Sequence, residues 1–469
     1  MKLRQKVKKA VFTIKKKNEQ PRQHDNRGSS KYVKRIFVSG ILSLILLFII
    51  IYTLPQTVLD VSSLLEYTTI VALVIFLFVL VIRYFAILIM AYLYINEYTY
   101  KPTTGFFPFV SIIVPVYNEE KVIAESIKSL LGLDYSNYEI IIVNDGSTDR
   151  TKEVAESLVG YQKGKLSADV KVSLINKPNG GKAQALNAGI KYSKAEIVLC
   201  MDGDSQLSPD SVKLAVRHFS NPEIGAVAGN VKVINRGKLL TDLQALEYIE
   251  GLNMARSAQS FVNLVNIIPG PIGLFRKKAI EEAGFYSSDT YAEDADLTLK
   301  VLANGWKIYY EPNSISYTEA PEKLHQLLKQ RYRWTRGIIQ SIRKHKKLMV
   351  NPTINFGDTF IMWTMAYEAL IWPVMNIAAN LFFIVAALFF GFTSLIFFWW
   401  AGLALLDLVT ALYCVAAEKE EFRLVPYSLI YRMVFILIID VSKVMSTIEE
   451  FLGIKMSWGK LERVGALKS

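Results

Sequence analysis

Cysteine and histidine are nearly missing from this chain, with two Cys and four His in 469 residues. Cys200 closes a strand-like apolar run and Cys414 sits inside an apolar block, so a disulfide framework is excluded and both read as reduced structural thiols. Four scattered His leave no basis for a His-based metal site. Acidic residues are scarce in the first 35 positions, where 13 Lys and Arg face only Glu19 and Asp25. A basic arm of this kind suits nucleic acid or a lipid surface. The apolar span that follows at once favours a cytoplasmic tail drawn to anionic head groups, with no nucleic-acid partner. Charge is then absent from Ile36 to Leu54, which is long enough to cross a bilayer. The long basic lead, and the lack of a small-residue cleavage site after the span, exclude a signal peptide.

What the chain does have is apolar residue, 52% of the total, gathered in blocks. A second span runs from about Leu64 to Ile82, and its pattern resumes after Arg83 as far as Ile95. Arg83 either snorkels to the inner interface or faces a polar path through the protein. Further spans are expected near 367–391, 394–416 and 425–447, with the charged loop Glu418–Arg423 before the last. The expected organisation is a basic tail (1–35), two N-terminal membrane helices (36–104), a cytoplasmic domain (105–350) and a C-terminal membrane region (351–469). Three C-terminal spans would leave the basic segment KMSWGKLERVGALKS outside, against the positive-inside tendency. Either the last block is re-entrant or a span is miscounted.

Between the apolar blocks, Phe109–Val116, Tyr138–Asp145, Val170–Asn176 and Ala195–Asp202 are near-continuous apolar runs, as expected of strands covered on both faces. Helical patterns lie between them. This alternation predicts an α/β domain with a parallel, Rossmann-like sheet and ligands at the carboxyl ends of its strands. The residues at those ends are PVYNEE, NDGSTD and DGDS. Asp202 and Asp204 flank Gly203 on an extended segment, where alternation places both carboxylates on one side. Two hard oxygen donors suit Mg²⁺ or Mn²⁺ shared with phosphates.

The ordered set VPVYNEE, VNDGSTD, GGKAQALN, DGDS, AEDAD and QRYRW resembles the processive family-two glycosyltransferases. These are membrane-embedded polysaccharide synthases such as the cellulose, hyaluronan and poly-N-acetylglucosamine synthases. The resemblance implies a GT-A fold inserted between transmembrane helices. It implies that Pro115, Tyr117, Glu119 and Asp145 form a uridine pocket, with Lys182 near the nucleotide. Asp202 and Asp204 then match the donor and metal motif, and Asp294 the general base, with Glu293 beside it. Ala292 departs from the family's usual Thr or Ser and costs a hydroxyl near the base. On the Leu239–Ser257 segment and on EKLHQLLKQRYRW, the spacing predicts amphipathic helices under the bilayer. Gln330, Arg333 and Trp334 share one helix face at i, i+3 and i+4. Gln330 and Arg333 are expected on the diphosphate, and Trp334 either as a platform for the acceptor sugar or as an interfacial anchor. The Pro269–Gly270 turn reads as a loop near the acceptor or as a purely structural turn.

The implied activity is inverting transfer from a UDP-sugar, UDP-N-acetylglucosamine first and UDP-glucose next, into a β-linked exopolysaccharide at the plasma membrane. The expected partners are the donor, the growing chain and the bilayer. The alternatives are a transferase that adds one sugar to a lipid or glycan, and a binding protein on an inactive transferase fold.

Overall fold

The computed structural model describes Val38 and residues 64–99, 105–166, 169–350, 356–390 and 394–454. The basic tail, the first apolar span (apart from Val38) and the basic segment after residue 454 lie outside the described residues.

The four apolar runs form the strands β1 (Val110–Val116), β2 (Tyr138–Asp145), β4 (Asp169–Lys177) and β5 (Ile197–Cys200), which pair in parallel. Every residue of β1 and β5 is buried, and each fully buried Ile or Val contributes roughly 1.5–3 kcal/mol. Helices cover both faces. The Ile123–Leu131 helix turns Ile123, Ser126, Ile127 and Leu130 inward, a 3.6-residue stripe.

The sheet is not wholly parallel, which corrects the sequence expectation. Five further strands complete nine in the order β3-β4-β2-β1-β5-β8-β7-β9-β6: β3 (Gly160–Lys163), β6 (Ser205–Leu207), β7 (Ile224–Val233), β8 (Gly273–Arg276) and β9 (Lys307–Thr318). β8 runs antiparallel to both β5 and β7, and β6 to β9. The reversal at β5/β8 opens the sheet beside the end of β5, where Asp202 and Asp204 follow.

Among the described residues, four helical segments are long and apolar enough to cross a membrane: Phe78–Ile95, Phe356–Val385, Trp400–Ala417 and Phe422–Phe451. The first belongs to a single helix, Leu64–Thr99, in which Arg83 does not interrupt the rod. Arg83 bonds Glu368 at 2.5 Å and lies 5.8 Å from the Trp372 ring centre, so it faces a neighbouring helix and does not snorkel outward.

The Phe422–Phe451 segment behaves differently from the other three. Beside its start, Glu420 bonds Lys232 at 2.8 Å and Arg236 at 2.5 Å, while Arg423 bonds Asp242 at 3.0 Å. In its last turn Glu450 bonds Arg336 at 2.7 Å, and just beyond its end the Ile454 carbonyl accepts from Arg336 at 2.6 Å. Both ends are therefore tied to the α/β domain. The two segments expected to be amphipathic are helical. One runs from Leu239 to Phe261 through a π-helical turn at Tyr248–Asn253, and the other is Leu324–Lys344.

Candidate active site

The strand ends converge. β1 is followed by a sharp turn at Asn118, whose positive φ of 53° suits Asn. The Asn118 side-chain Oδ1 accepts from the Thr148 amide at 2.8 Å, and the Glu119 amide donates to the Thr151 hydroxyl at 2.7 Å. These bonds latch the YNEE loop to the GSTD loop. Pro115 is buried at the end of β1, and Tyr117 projects from it, 41% exposed. Asp145, at the end of β2, is buried and accepts from the Gly180 and Gly181 amides at 3.0 and 2.8 Å, and from Lys177. Both carboxylate oxygens are engaged by protein, so Asp145 fixes the glycine loop as well as keeping a lone pair for a ligand. Lys177 carried no signal in the sequence beyond its place at a strand end.

That glycine loop delivers Lys182, the first residue of the Lys182–Tyr192 helix. Its ammonium bridges Asp202 at 2.6 Å and Glu293 at 2.8 Å. Burial disfavours its charge, but Asp202, Glu293 and Asp294 outweigh burial and hold the proton more tightly than usual. Gly270 explains how the pair fits: a Cβ there would lie 2.8 Å from Lys182 Nζ and 2.9 Å from Asp202 Oδ2. The Pro269–Gly270 turn therefore lies against the Lys182–Asp202 pair, which the sequence linked to the donor.

Glu293 and Asp294 open the Glu293–Ala303 helix, where its dipole favours carboxylates. Burial and then the Glu293 charge push the Asp294 carboxyl up to about 6. Burial also opposes the Glu293 charge, but Lys182 and then Arg333 overcome it and hold its pKa low. The two neighbours are thus driven apart, one ionised and one poised as a proton acceptor near neutrality. Ala292 has a packing reason for its small size. A Cβ on Gly337 would lie 2.5 Å from Ala292 Cβ, so the Leu324–Lys344 helix presses on this turn. The Arg333 guanidinium reaches the same turn, donating to the Tyr291 carbonyl at 3.3 Å.

Trp334 is set apart from the carboxylates. It lines a cavity of about 300 Å³ between the α/β domain and the apolar helices, together with Arg83, Arg256, Arg331, Glu368 and Trp372. Arg256 was not singled out by sequence. It is buried, donates to the Ile267 carbonyl at 3.2 Å and is close enough to Asp294 to interact with its charge. The structure thus groups Lys182, Asp202, Glu293 and Asp294 in one cluster, with Arg333 at its edge and Trp334 on the adjoining cavity.

The chemistry of the site suits a divalent ion. Asp202 already has a cation beside it, the Lys182 ammonium. Among the described residues no group of three or more His, Cys, Asp or Glu side chains could hold a metal by itself. Mg²⁺ and Mn²⁺ fit such a site, since they take one or two protein carboxylates and fill the remaining positions with phosphate oxygens and water.

Residues 111–284 match the model of the family described as Glycosyl transferase family 2. Over 229 residues, 49% of this chain, the sequence is 34% identical to the poly-beta-1,6-N-acetyl-D-glucosamine synthases of Staphylococcus epidermidis and Staphylococcus aureus. The aligned part covers 54% of those proteins, so the chain spans about half the length of the curated relatives it matches. A mannosyltransferase from Pyrobaculum calidifontis, solved with GDP-Man and Mn2+, superposes with a TM-score of 0.55 over 81% of this chain and 98% of its own. At 20% identity that likeness establishes the GT-A-like fold alone. Residues 111–284 therefore match a family-two glycosyltransferase domain, flanked by apolar helices, in a chain similar to the poly-N-acetylglucosamine synthases.

Proposed function

We propose that this chain is an inverting, processive glycosyltransferase that polymerises a UDP-sugar into a β-linked polysaccharide and passes the product through its own membrane region. UDP-N-acetylglucosamine is the leading donor and UDP-glucose the next. Similarity to the poly-N-acetylglucosamine synthases supports that order. The observation that carries the reading is the pairing of Asp294 and Glu293 against Lys182 and Asp202, with Arg256, close enough to feel the Asp294 charge, lining the cavity of about 300 Å³ that Trp334 edges.

The chemistry follows from the placement. The acceptor hydroxyl gives its proton to the Asp294 carboxylate, whose Oδ1 is oriented by the Ala295 amide at 2.8 Å. The hydroxyl oxygen forms a bond to the anomeric carbon as the bond to the β-phosphate oxygen breaks, and UDP departs with the electron pair. Attack opposite the leaving group inverts the centre, so an α-linked donor yields a β-linkage. Lys182, Arg333 and the Gln330 amide stabilise the diphosphate as its charge grows. Pro115, Tyr117, Glu119 and Asp145 hold the uridine. Asp202 and Asp204 would hold a Mg²⁺ or Mn²⁺ ion, which would supply further charge neutralisation for the diphosphate. Trp334 presents a flat apolar face to the terminal sugar of the acceptor.

The domain sits on the cytoplasmic face of the plasma membrane, held by the helices at 64–95, 356–390 and 394–417 together with the span that the sequence leads one to expect at 36–54. The Phe422–Phe451 segment is not a crossing in this reading, because both of its ends bond the domain. Residue 454 then lies on the cytoplasmic side, and the basic residues after it obey the positive-inside tendency.

The test is incubation of the purified protein in lipid nanodiscs with UDP-N-acetylglucosamine, UDP-glucose and other UDP-sugars, with Mg²⁺ or Mn²⁺, followed by sizing of the product. Long polymer from UDP-N-acetylglucosamine is expected. A single added sugar would favour a non-processive transferase, and no turnover of any UDP-sugar would overturn the reading.

A further inference from the structure

The QRYRW segment contains a second arginine that the proposed chemistry leaves without a task. Arg331 is buried, at 3% exposure, on a helix whose neighbouring positions face the site. Its guanidinium carbon lies 4.2 Å from the centre of the Trp334 ring, in stacking distance. Glu247 grips the same guanidinium as a fork, with Nε to Oε1 at 3.1 Å and Nη2 to Oε2 at 2.5 Å. The third nitrogen, Nη1, donates to the Gln330 side-chain oxygen. Glu247 ends the Leu239–Glu247 helix, just before the π-helical turn that lines the cavity with Glu250 and Gly251.

Each contact has a consequence. A guanidinium against one face of the indole leaves only the other for a ligand, so the platform is one-sided. Guanidinium nitrogens only donate, so the contact with Gln330 engages the amide oxygen and leaves the NH₂ group available. An NH₂ donor suits a diphosphate, whereas a carbonyl oxygen would repel it. The bidentate Glu247 fork prevents Arg331 from turning away.

We propose that Arg331, clamped by Glu247, is a positioning residue that sets both the acceptor-facing side of Trp334 and the donor-facing end of the Gln330 amide. This rests on the reading of Trp334 as acceptor platform and Gln330 as diphosphate ligand. Lysine keeps the charge but loses the planar fork and the flat stacking surface.

The experiment compares Arg331→Lys with the wild type and with Trp334→Ala, in nanodiscs, per folded molecule. The probes are UDP-N-acetylglucosamine kinetics, product length and Tm. Arg331→Lys is expected to lower kcat at least tenfold, raise the donor KM several-fold and shorten the product, with Tm close to the wild type. If Arg331→Lys lowers only the yield or Tm while kcat and KM per folded molecule stay within twofold, Arg331 is merely structural and the inference fails. If Trp334→Ala also elongates normally, the platform reading itself has failed, which separates the two. Should Arg331→Lys not fold, Glu247→Gln keeps the volume and weakens the clamp. It is expected to show the same paired kcat and KM change at three- to tenfold, and wild-type kinetics from it would overturn the inference.

Discussion

Replacing Asp294 by Asn removes the proposed proton acceptor while preserving its size and the bond from the Ala295 amide to Oδ1. General-base assistance contributes about 10²–10⁴-fold, equivalent to roughly 3–5 kcal/mol of barrier, so Asp294→Asn should lower kcat by that factor. UDP affinity should stay within a few-fold, because Asn keeps the shape of the site. The pH profile gives an independent reading. Burial and then Glu293 hold the Asp294 carboxyl up at about 6, so its protonated form persists to higher pH than in an ordinary Asp. The base is active only when deprotonated. Wild-type kcat should therefore be flat above about pH 7 and fall tenfold per unit below about pH 6. Glu293→Gln removes the neighbouring negative charge and frees Lys182 from one of its partners, and both effects move that limb to lower pH. The assay is the initial rate of UDP release from UDP-N-acetylglucosamine between pH 4.5 and 8, normalised to monodisperse protein. An Asp294→Asn enzyme within threefold of wild type, or an acid limb that Glu293→Gln leaves in place, would refute the assignment.

Three further outcomes are expected. Chelation with EDTA should abolish turnover and Mn²⁺ should restore it, with Asp204→Ala weakening UDP binding measured by calorimetry in the presence of Mn²⁺; turnover in EDTA would remove Asp202 and Asp204 from that role. Trp334→Ala should slow elongation by about 5–30-fold, from the loss of ~1–2 kcal/mol of aromatic packing, and Trp334→Phe should recover part of it; normal polymer from the Ala variant would leave Trp334 as a surface anchor. Gly270→Ala should raise the donor KM without lowering Tm, because the added methyl displaces the flexible ends of Lys182 and Asp202 and no backbone; an unchanged KM would show that the Lys182–Asp202 contact does not matter to donor binding.

The legible part of this molecule was what local pattern encodes. Strands β1, β2, β4 and β5 announced themselves because burial on both faces removes polar residues, and their polar endings marked the ligand edge of the sheet. β3 and β6 are short strands at the edges of the sheet, while β8 interleaves antiparallel between β5 and β7. Nothing local announces such a reversal. Arg83 could not reveal its partner, since Glu368 lies 285 positions away. The reading of the last span turns on tertiary contacts for a related reason. Hydropathy records that Phe422–Phe451 can cross a bilayer, but the ion pairs of Glu420 and Glu450 tie both its ends to the domain. At the site, sequence motifs named Lys182, Asp202, Glu293 and Asp294, and the fold brings all four together. Lys177, Arg256 and Glu247 act through tertiary contacts and left no mark at motif level, while Gly270 and Arg331 lay in segments the sequence singled out but whose partners it could not name.

The decisive measurement is the length of the earliest product. Wild-type protein in nanodiscs is given radiolabelled UDP-N-acetylglucosamine in large excess and stopped while most enzyme molecules have not yet begun. A processive synthase, with Trp334 holding the chain end, yields long polymer from the first moments, with short intermediates scarce. A ladder that begins at one added sugar and lengthens only with time would contradict it.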